Sequence, residues 1–407
     1  METAQDTRSL HDRWMMLNYP RWPITMVSGS GSKLVDDAGT EYLDLFSGFG
    51  AGVLGHCHSD LVAAATKQVN KLWHVGNLLH TEPQVRLAEQ IAETGFGGRS
   101  YFCHSGSDAN EAAFKLARLY GEGRRHKILS TEGSFHGRGF AAMMATGQAK
   151  VKSGYEPYLE GFAQVPYNNL EAMAGAIDDQ TVAILIEPIQ GEGGIHVPNK
   201  RYLTGLRKLC DDHDLLLICD EVWTGCGRTG RWYGHQHWDV TPDIMTLGKA
   251  VGAGLPVGVM CAAEHVADRF NSAKHGGVPH ATTLGGNCVA MAVSLRMFEV
   301  LRRDDLIERA ETLGETVMQK LRDFAADHPL VTDVRGKGLM IGLELDLDQC
   351  RFDSAFAFAT ECLSRKHLLI GSAQQNVLRL APPLNIDQKQ LEEGLGLLFE
   401  LLEKSAA

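Results

Sequence analysis

The 407-residue sequence has no CxxC pair, no low-complexity tract, no internal repeat and no run of 18 apolar residues. Each absence removes a class of protein. Nine cysteines scattered singly through a long chain suit a reduced, intracellular setting and not a disulfide-stapled secreted domain. Without a long apolar run, nothing reads as a membrane span. Positive charge is also short: 39 Lys and Arg face 50 Asp and Glu, a net charge of -11. That balance argues against a nucleic-acid surface, which relies on clustered Lys and Arg. The opening METAQDTRSLHDRW lacks an apolar centre, so it reads as neither a signal nor a transit peptide. The expectation is a cytoplasmic, enzyme-sized protein of two or three structural units.

What is present is a rhythm. HKILS (126–130), TVAILIEP (181–188), LLLICDEV (215–222), DIMTLGK (243–249) and VGVMCAA (257–263) read as buried strands. NKRYLTGLRKLCDDHD (199–214) has helical spacing between two of them. Strands alternating with helices predict an α/β fold with a mostly parallel sheet. Toward the N-terminus, KLVDDAGTEYLDLF reads as a hairpin turning at Asp36-Asp37-Ala38-Gly39. Beyond about residue 290 the pattern turns helical, with Leu306, Ala310, Leu313, Val317, Leu321 and Phe324 on one face. QLEEGLGLLFELLEK closes the chain as another amphipathic helix. The predicted organisation is an N-terminal segment (1–46), a large α/β domain (47–290) and a C-terminal α+β region (291–407), with both chain ends building the smaller domain.

Two strands close on carboxylates, Glu187 after AILI and Asp220 after LLLIC, and Lys249 follows the next strand. Open parallel sheets bind ligands beyond the carboxyl ends of their strands, so the three groups converge on one cleft. Each acid alone could be a loop or helix cap, and a lone lysine is ordinarily a surface residue. A lysine stripped of water at a sheet mouth is instead a nucleophile and base. Ser105-Gly106-Ser107 leads into a well-patterned helix whose first amides suit a phosphate, although Ser is also an ordinary N-cap. GSFHGRGF (133–140) adds a loop aromatic, Phe135, and a cation, Arg138. GHCH (55–58) and GHQHW (234–238) invite a metal reading, but neither has a second ligand pair at a recognisable spacing, and no metal is expected. SGSGSK (28–33) lacks the spacing of a phosphate loop and reads as a turn. Cys103, Cys219 and Cys261 read as core thiols.

In this order, SGSDANEAAFKLAR, FHGR, IEPIQGEGG, DEVWTGCGRTG, TLGKAVGAGLPVG, TTLGGN and LRLAPPL resemble the class III (ω-amino-acid) aminotransferases of fold type I, nearly end to end. FHGR, HVGNLLHTEPQVRLAEQI and VLRLAPPLNI look most like the acetylornithine branch. The resemblance implies pyridoxal 5'-phosphate as cofactor, Lys249 as the lysine that bonds it and moves the proton, and Asp220 as partner of its ring nitrogen. It implies that Val222 and Phe135 flank the ring and that Ser105, Gly106 and Ser107 hold the phosphate. Thr283 would join them from a second copy, placing the site at a homodimer interface. Arg138 would take a distal carboxylate, Arg379 the α-carboxylate of glutamate, and Glu192 would neutralise Arg379 when the donor presents a bare ω-amine. Glu187 is taken as a supporting carboxylate. The implied reaction moves an amino group from N-acetylornithine to 2-oxoglutarate, within arginine biosynthesis. Other ω-amino donors (4-aminobutyrate, ornithine, succinylornithine, a polyamine), pyruvate as acceptor, an aminomutase on the same scaffold and a non-catalytic scaffold protein are the alternatives. Three positions depart from the family pattern: Trp223 stands for a glutamine, Asp108 for a glutamate and Leu284 for an aromatic.

Overall fold

A computed structural model describes residues 7–405. The first six residues of the N-terminal stretch discussed above, and the last two of the chain, lie outside the described residues.

A seven-stranded sheet forms the centre, in the spatial order Arg99–Cys103, Gly258–Ala262, Ile244–Leu247, Leu216–Asp220, Thr181–Ile186, Lys127–Thr131, Phe162–Val165. Thr181–Ile186, Leu216–Asp220 and Gly258–Ala262 are buried at every position, as strands covered on both faces must be. Gly258–Ala262 alone runs against the others, antiparallel to both neighbours. The reason is chain length: the link 248–257 is too short for the helical crossover a parallel pair needs. This tight return holds Lys249 at the strand mouths.

The helix Gly106–Tyr120 packs on the sheet through small residues, Ala109, Ala112, Ala113 and Ala117, which allow close approach. Ser105 caps it, its side chain accepting from the Asp108 amide. The N-terminal hairpin forms where expected, Lys33–Asp36 against Glu41–Asp44, with Asp36 Oδ1 accepting the Ala38 and Thr40 amides of the turn. Leu368–Leu369 adds to that sheet in parallel, so the two ends of the chain share it. The predicted helical face appears in Leu306–Asp327, which buries Leu306, Ala310, Val317 and Leu321. A third sheet, Val331–Lys337, Met340–Leu345, Val377–Leu380 and Gly371–Ala373, is antiparallel and carries Arg379 toward the central sheet. Leu43 and Leu45 join its core with Leu321, Leu343, Leu378 and Leu398. No helix among the described residues is long and apolar enough to cross a membrane.

Candidate active site

Three neighbouring strands end at one cavity of about 540 Å³. Asp220 is the last residue of its strand, Glu187 lies one residue beyond its own, and Lys249 two beyond. Ser105, Gly106, Ser107, Phe135, Arg138, Glu192 and Val222 line the same space. Of the predicted site residues, only Arg379 and Thr283 do not line it. Arg379 reaches its wall through Glu192, and Thr283 is exposed on the loop before the helix Cys288–Arg303.

Lys249 has a positive φ of 45°, a left-handed conformation that costs a non-glycine residue about 1 kcal/mol or more. Burial pushes its amine below the ordinary lysine pKa, opposed by the negative charges of Glu192, Asp220 and Glu187. Asp220 accepts three hydrogen bonds. Its Oδ1 takes the Val222 amide at 3.0 Å, and its Oδ2 takes Asn110 Nδ2 at 2.8 Å and His136 Nδ1 at 2.7 Å. A carboxylate only accepts, so His136 carries its hydrogen on Nδ1. Asn110 is held in turn by the Thr246 hydroxyl, donated to its Oδ1 at 2.7 Å. A buried carboxylate accepting three hydrogen bonds is fixed in place.

Asn110, His136 and Thr246 were not picked out from the sequence. Asn110 could have been, as a polar residue on an otherwise alanine-rich buried helix face. His136 sits beside Phe135 in the same motif, and Thr246 lies in a strand that gives no such signal.

Glu187 accepts the Phe135 amide on Oε1 and the Gly191 amide on Oε2, each at 2.9 Å. Burial drives its pKa up to about 7, the charge of Asp220 adding to the effect. It therefore ties the loop of Phe135 to the loop that follows its own strand. On that second loop, Glu192 Oε1 accepts from Arg379 Nη1 at 2.7 Å. Burial raises the Glu192 pKa, but the charges of Arg379 and Lys249 outweigh it and hold the group below the usual value.

The histidine motifs resolve into pairs. His56 Nε2 meets Asp44 at 2.8 Å, and His235 Nδ1 meets the buried Glu221 at 2.8 Å. Cys103, Cys219 and Cys261 are free and buried, as expected, and burial raises each thiol's pKa.

The sequence matches the family Aminotransferase class-III over residues 15–402. The chain belongs to the class III aminotransferases. An acetylornithine aminotransferase of Caldanaerobacter subterraneus is 42% identical over 396 residues, covering 96% of this chain and 98% of the relative. One of Mycolicibacterium smegmatis is 40% identical over 403 residues, 98% and 99% of the two chains. Among solved structures, the ornithine aminotransferase of Toxoplasma gondii superposes with a TM-score of 0.92 at 28% identity, covering 99% of this chain and 96% of its own. The acetylornithine aminotransferase of Elizabethkingia anophelis gives 0.85 at 29% identity, covering 98% of each. This class III aminotransferase is a pyridoxal-phosphate-dependent transaminase of fold type I.

The cavity suits that cofactor. It combines a desolvated lysine amine, a buried carboxylate for a protonated ring nitrogen, an aromatic and an aliphatic side chain for the ring faces, and the start of a 15-residue helix. The first amides of a helix have no acceptor within it, and they suit a phosphate. Glycines keep the cradle open: a Cβ on Gly106 would come within 2.5 Å of Val222, and one on Gly137 within 2.3 Å of the Ser107 hydroxyl.

Proposed function

We propose that this enzyme transfers the ω-amino group of N-acetylornithine to 2-oxoglutarate, yielding an aldehyde and glutamate. The observation that carries the reading is the Glu192–Arg379 pair at the cavity wall, joined to full-length similarity with acetylornithine aminotransferases. Bound pyridoxal phosphate supplies an aldehyde carbon to take the amino group and a ring to accept the electron pair of the broken C–H bond.

The chain's own residues do the rest. Asp220, fixed by Asn110, His136 and the Val222 amide, would partner the ring nitrogen of the bound cofactor. Lys249, with its amine biased toward the neutral form, would bond the cofactor and serve as the base that moves the proton of the substrate carbon. Val222 and Phe135 would flank the ring, and Ser105, Gly106 and Ser107 would hold the phosphate. Arg138 is exposed at the cavity rim and suits the distal carboxylate of either substrate. Glu192 occupies Arg379 while a bare ω-amine is in place. When a dicarboxylate arrives, Glu192 leaves and Arg379 takes the α-carboxylate. One site thereby serves both partners of a ping-pong cycle.

The active unit in this reading is a cytoplasmic homodimer. Two loops are clipped together, with Asn77 Nδ2 donating to the Thr282 and Gly285 carbonyls and Asn287 Nδ2 to the Trp73 carbonyl. They expose Trp73, Leu78, Leu79, Val278 and Leu284, with Leu78 97% exposed. An apolar patch of this kind suits a second copy, and it carries Thr283 with it. The test is glutamate formation from 2-oxoglutarate across a donor panel. N-acetylornithine should give the highest kcat/KM, above ornithine, 4-aminobutyrate and succinylornithine. A faster donor from that panel would overturn the substrate assignment, and turnover without keto acid would favour an aminomutase.

A further inference from the structure

Trp223 stands at the junction of the two halves of the site and lines the cavity, 5% exposed. Its ring centroid is 4.7 Å from Lys249 Nζ and 4.7 Å from the guanidinium carbon of Arg379. Phe46 supplies a second ring 5.3 Å from the same guanidinium, and meets Trp223 edge-on at 6.5 Å. The indole packs closely against two glycines. A Cβ on Gly50 would lie 2.4 Å from its Nε1, and one on Gly191 would lie 2.1 Å from Cε3. Among the described residues the buried indole N–H has no acceptor. Its ring is the surface that meets both cations.

Glu192 and Arg379 are unequal partners. Arg379 is 2% exposed and rooted in the strand Val377–Leu380, paired in register with Gly342 and Gly371. The Glu192 side chain is 29% exposed and stands on a loop. If one of them swings aside for a substrate carboxylate, it is Glu192. Among the described residues Arg379 Nε has no hydrogen-bond partner, so with Glu192 aside the guanidinium keeps its contacts with the two aromatic rings.

We propose that Trp223 is a positioning residue for the acceptor: its indole face keeps the Arg379 guanidinium aimed into the cleft when Glu192 departs, and so sets the enzyme's affinity for dicarboxylates. The inference rests on the reading of Arg379 as the carboxylate-binding group. A cation–π contact gains strength when desolvated, and Phe46 retains part of the hold when the indole is removed.

The test is calorimetric titration of the cofactor-loaded enzyme with glutarate, a dicarboxylate that cannot accept an amino group. Trp223→Gln should weaken glutarate about tenfold, equivalent to ~1.4 kcal/mol. Trp223→Phe keeps a π face and should stay within about threefold of wild type. KM for 2-oxoglutarate should rise with the glutarate Kd, while kcat/KM for the donor half-reaction changes less. Wild-type glutarate affinity in Trp223→Gln, or equal losses in the Phe and Gln variants, would overturn the proposal. Arg379→Ala separates the two levels. If it abolishes glutarate binding while Trp223→Gln does not weaken it, the inference fails alone. If it leaves binding unchanged, the reading of Arg379 fails and the inference with it.

Discussion

Arg379→Ala should split the two half-reactions. The guanidinium is buried and offers Nη1 to Glu192 at 2.7 Å. In the acceptor half-reaction it would exchange that carboxylate for the substrate's, in a forked pair that alanine cannot replace. Removing one member of a buried, hydrogen-bonded charge pair costs about 2–5 kcal/mol, or roughly 30- to 4,000-fold in kcat/KM. In the donor half-reaction the ω-amine brings no carboxylate to Arg379. The variant there loses only the charge that balances Glu192, and the loss should stay below about tenfold. The assay is stopped-flow measurement of each half-reaction separately, followed through the absorbance of the loaded enzyme. Because Arg379 lies within a strand core, melting curves must first show a folded variant. Arg379→Lys keeps the charge without the fork and should fall between the two. Equal losses in both half-reactions of a folded variant would refute the reasoning.

Glu187 gives a pH signature. Its folded pKa of about 7, against 4.5 ordinarily, means the folded state binds more protons between those values, so its contribution is full below the lower value and lost as pH climbs through the higher. The stability advantage of wild type over Glu187→Gln in urea melts should therefore shrink by roughly 2–3 kcal/mol from about pH 5 to pH 8. Gly106→Ala drives a methyl to within 2.5 Å of Val222, an overpacking of about 1–3 kcal/mol that should appear as faster cofactor loss on dialysis. Asn110→Ala removes one of the bonds holding Asp220 and strands the Thr246 hydroxyl. It should weaken cofactor retention by roughly 10- to 100-fold with a smaller change in Tm, since a hydrogen bond to a charged group is worth about 1.5–3 kcal/mol. Leu78→Asp changes a residue exposed in the single chain. It should leave the melting of isolated subunits unchanged while light scattering shows a shift from dimer to monomer.

The parts of the site set by local pattern were readable in advance. Glu187, Asp220 and Lys249 follow from strands that end in charge, because a strand run and its terminus are contiguous in sequence. The reversed direction of Gly258–Ala262 was not read, since an apolar run carries no sign of its orientation; only the short return before it does. Arg379 lies on a different sheet far along the chain, and only the family resemblance pointed to it. The cradle around Asp220 stayed hidden for another reason. Asn110, His136 and Thr246 come from a helix, a loop and a strand, and no single periodicity joins them. The packing of Trp223 against Gly50 and Gly191 is likewise a three-way coincidence of distant segments.

The most direct test of the central claim is to load the purified enzyme with pyridoxal phosphate and add N-acetylornithine alone, with no keto acid. The account predicts that the visible absorbance band of the loaded protein bleaches and that 2-oxoglutarate then restores it. A band that survives saturating N-acetylornithine would contradict the proposed donor, and a protein that never acquires the band would contradict the roles given to Lys249 and Asp220.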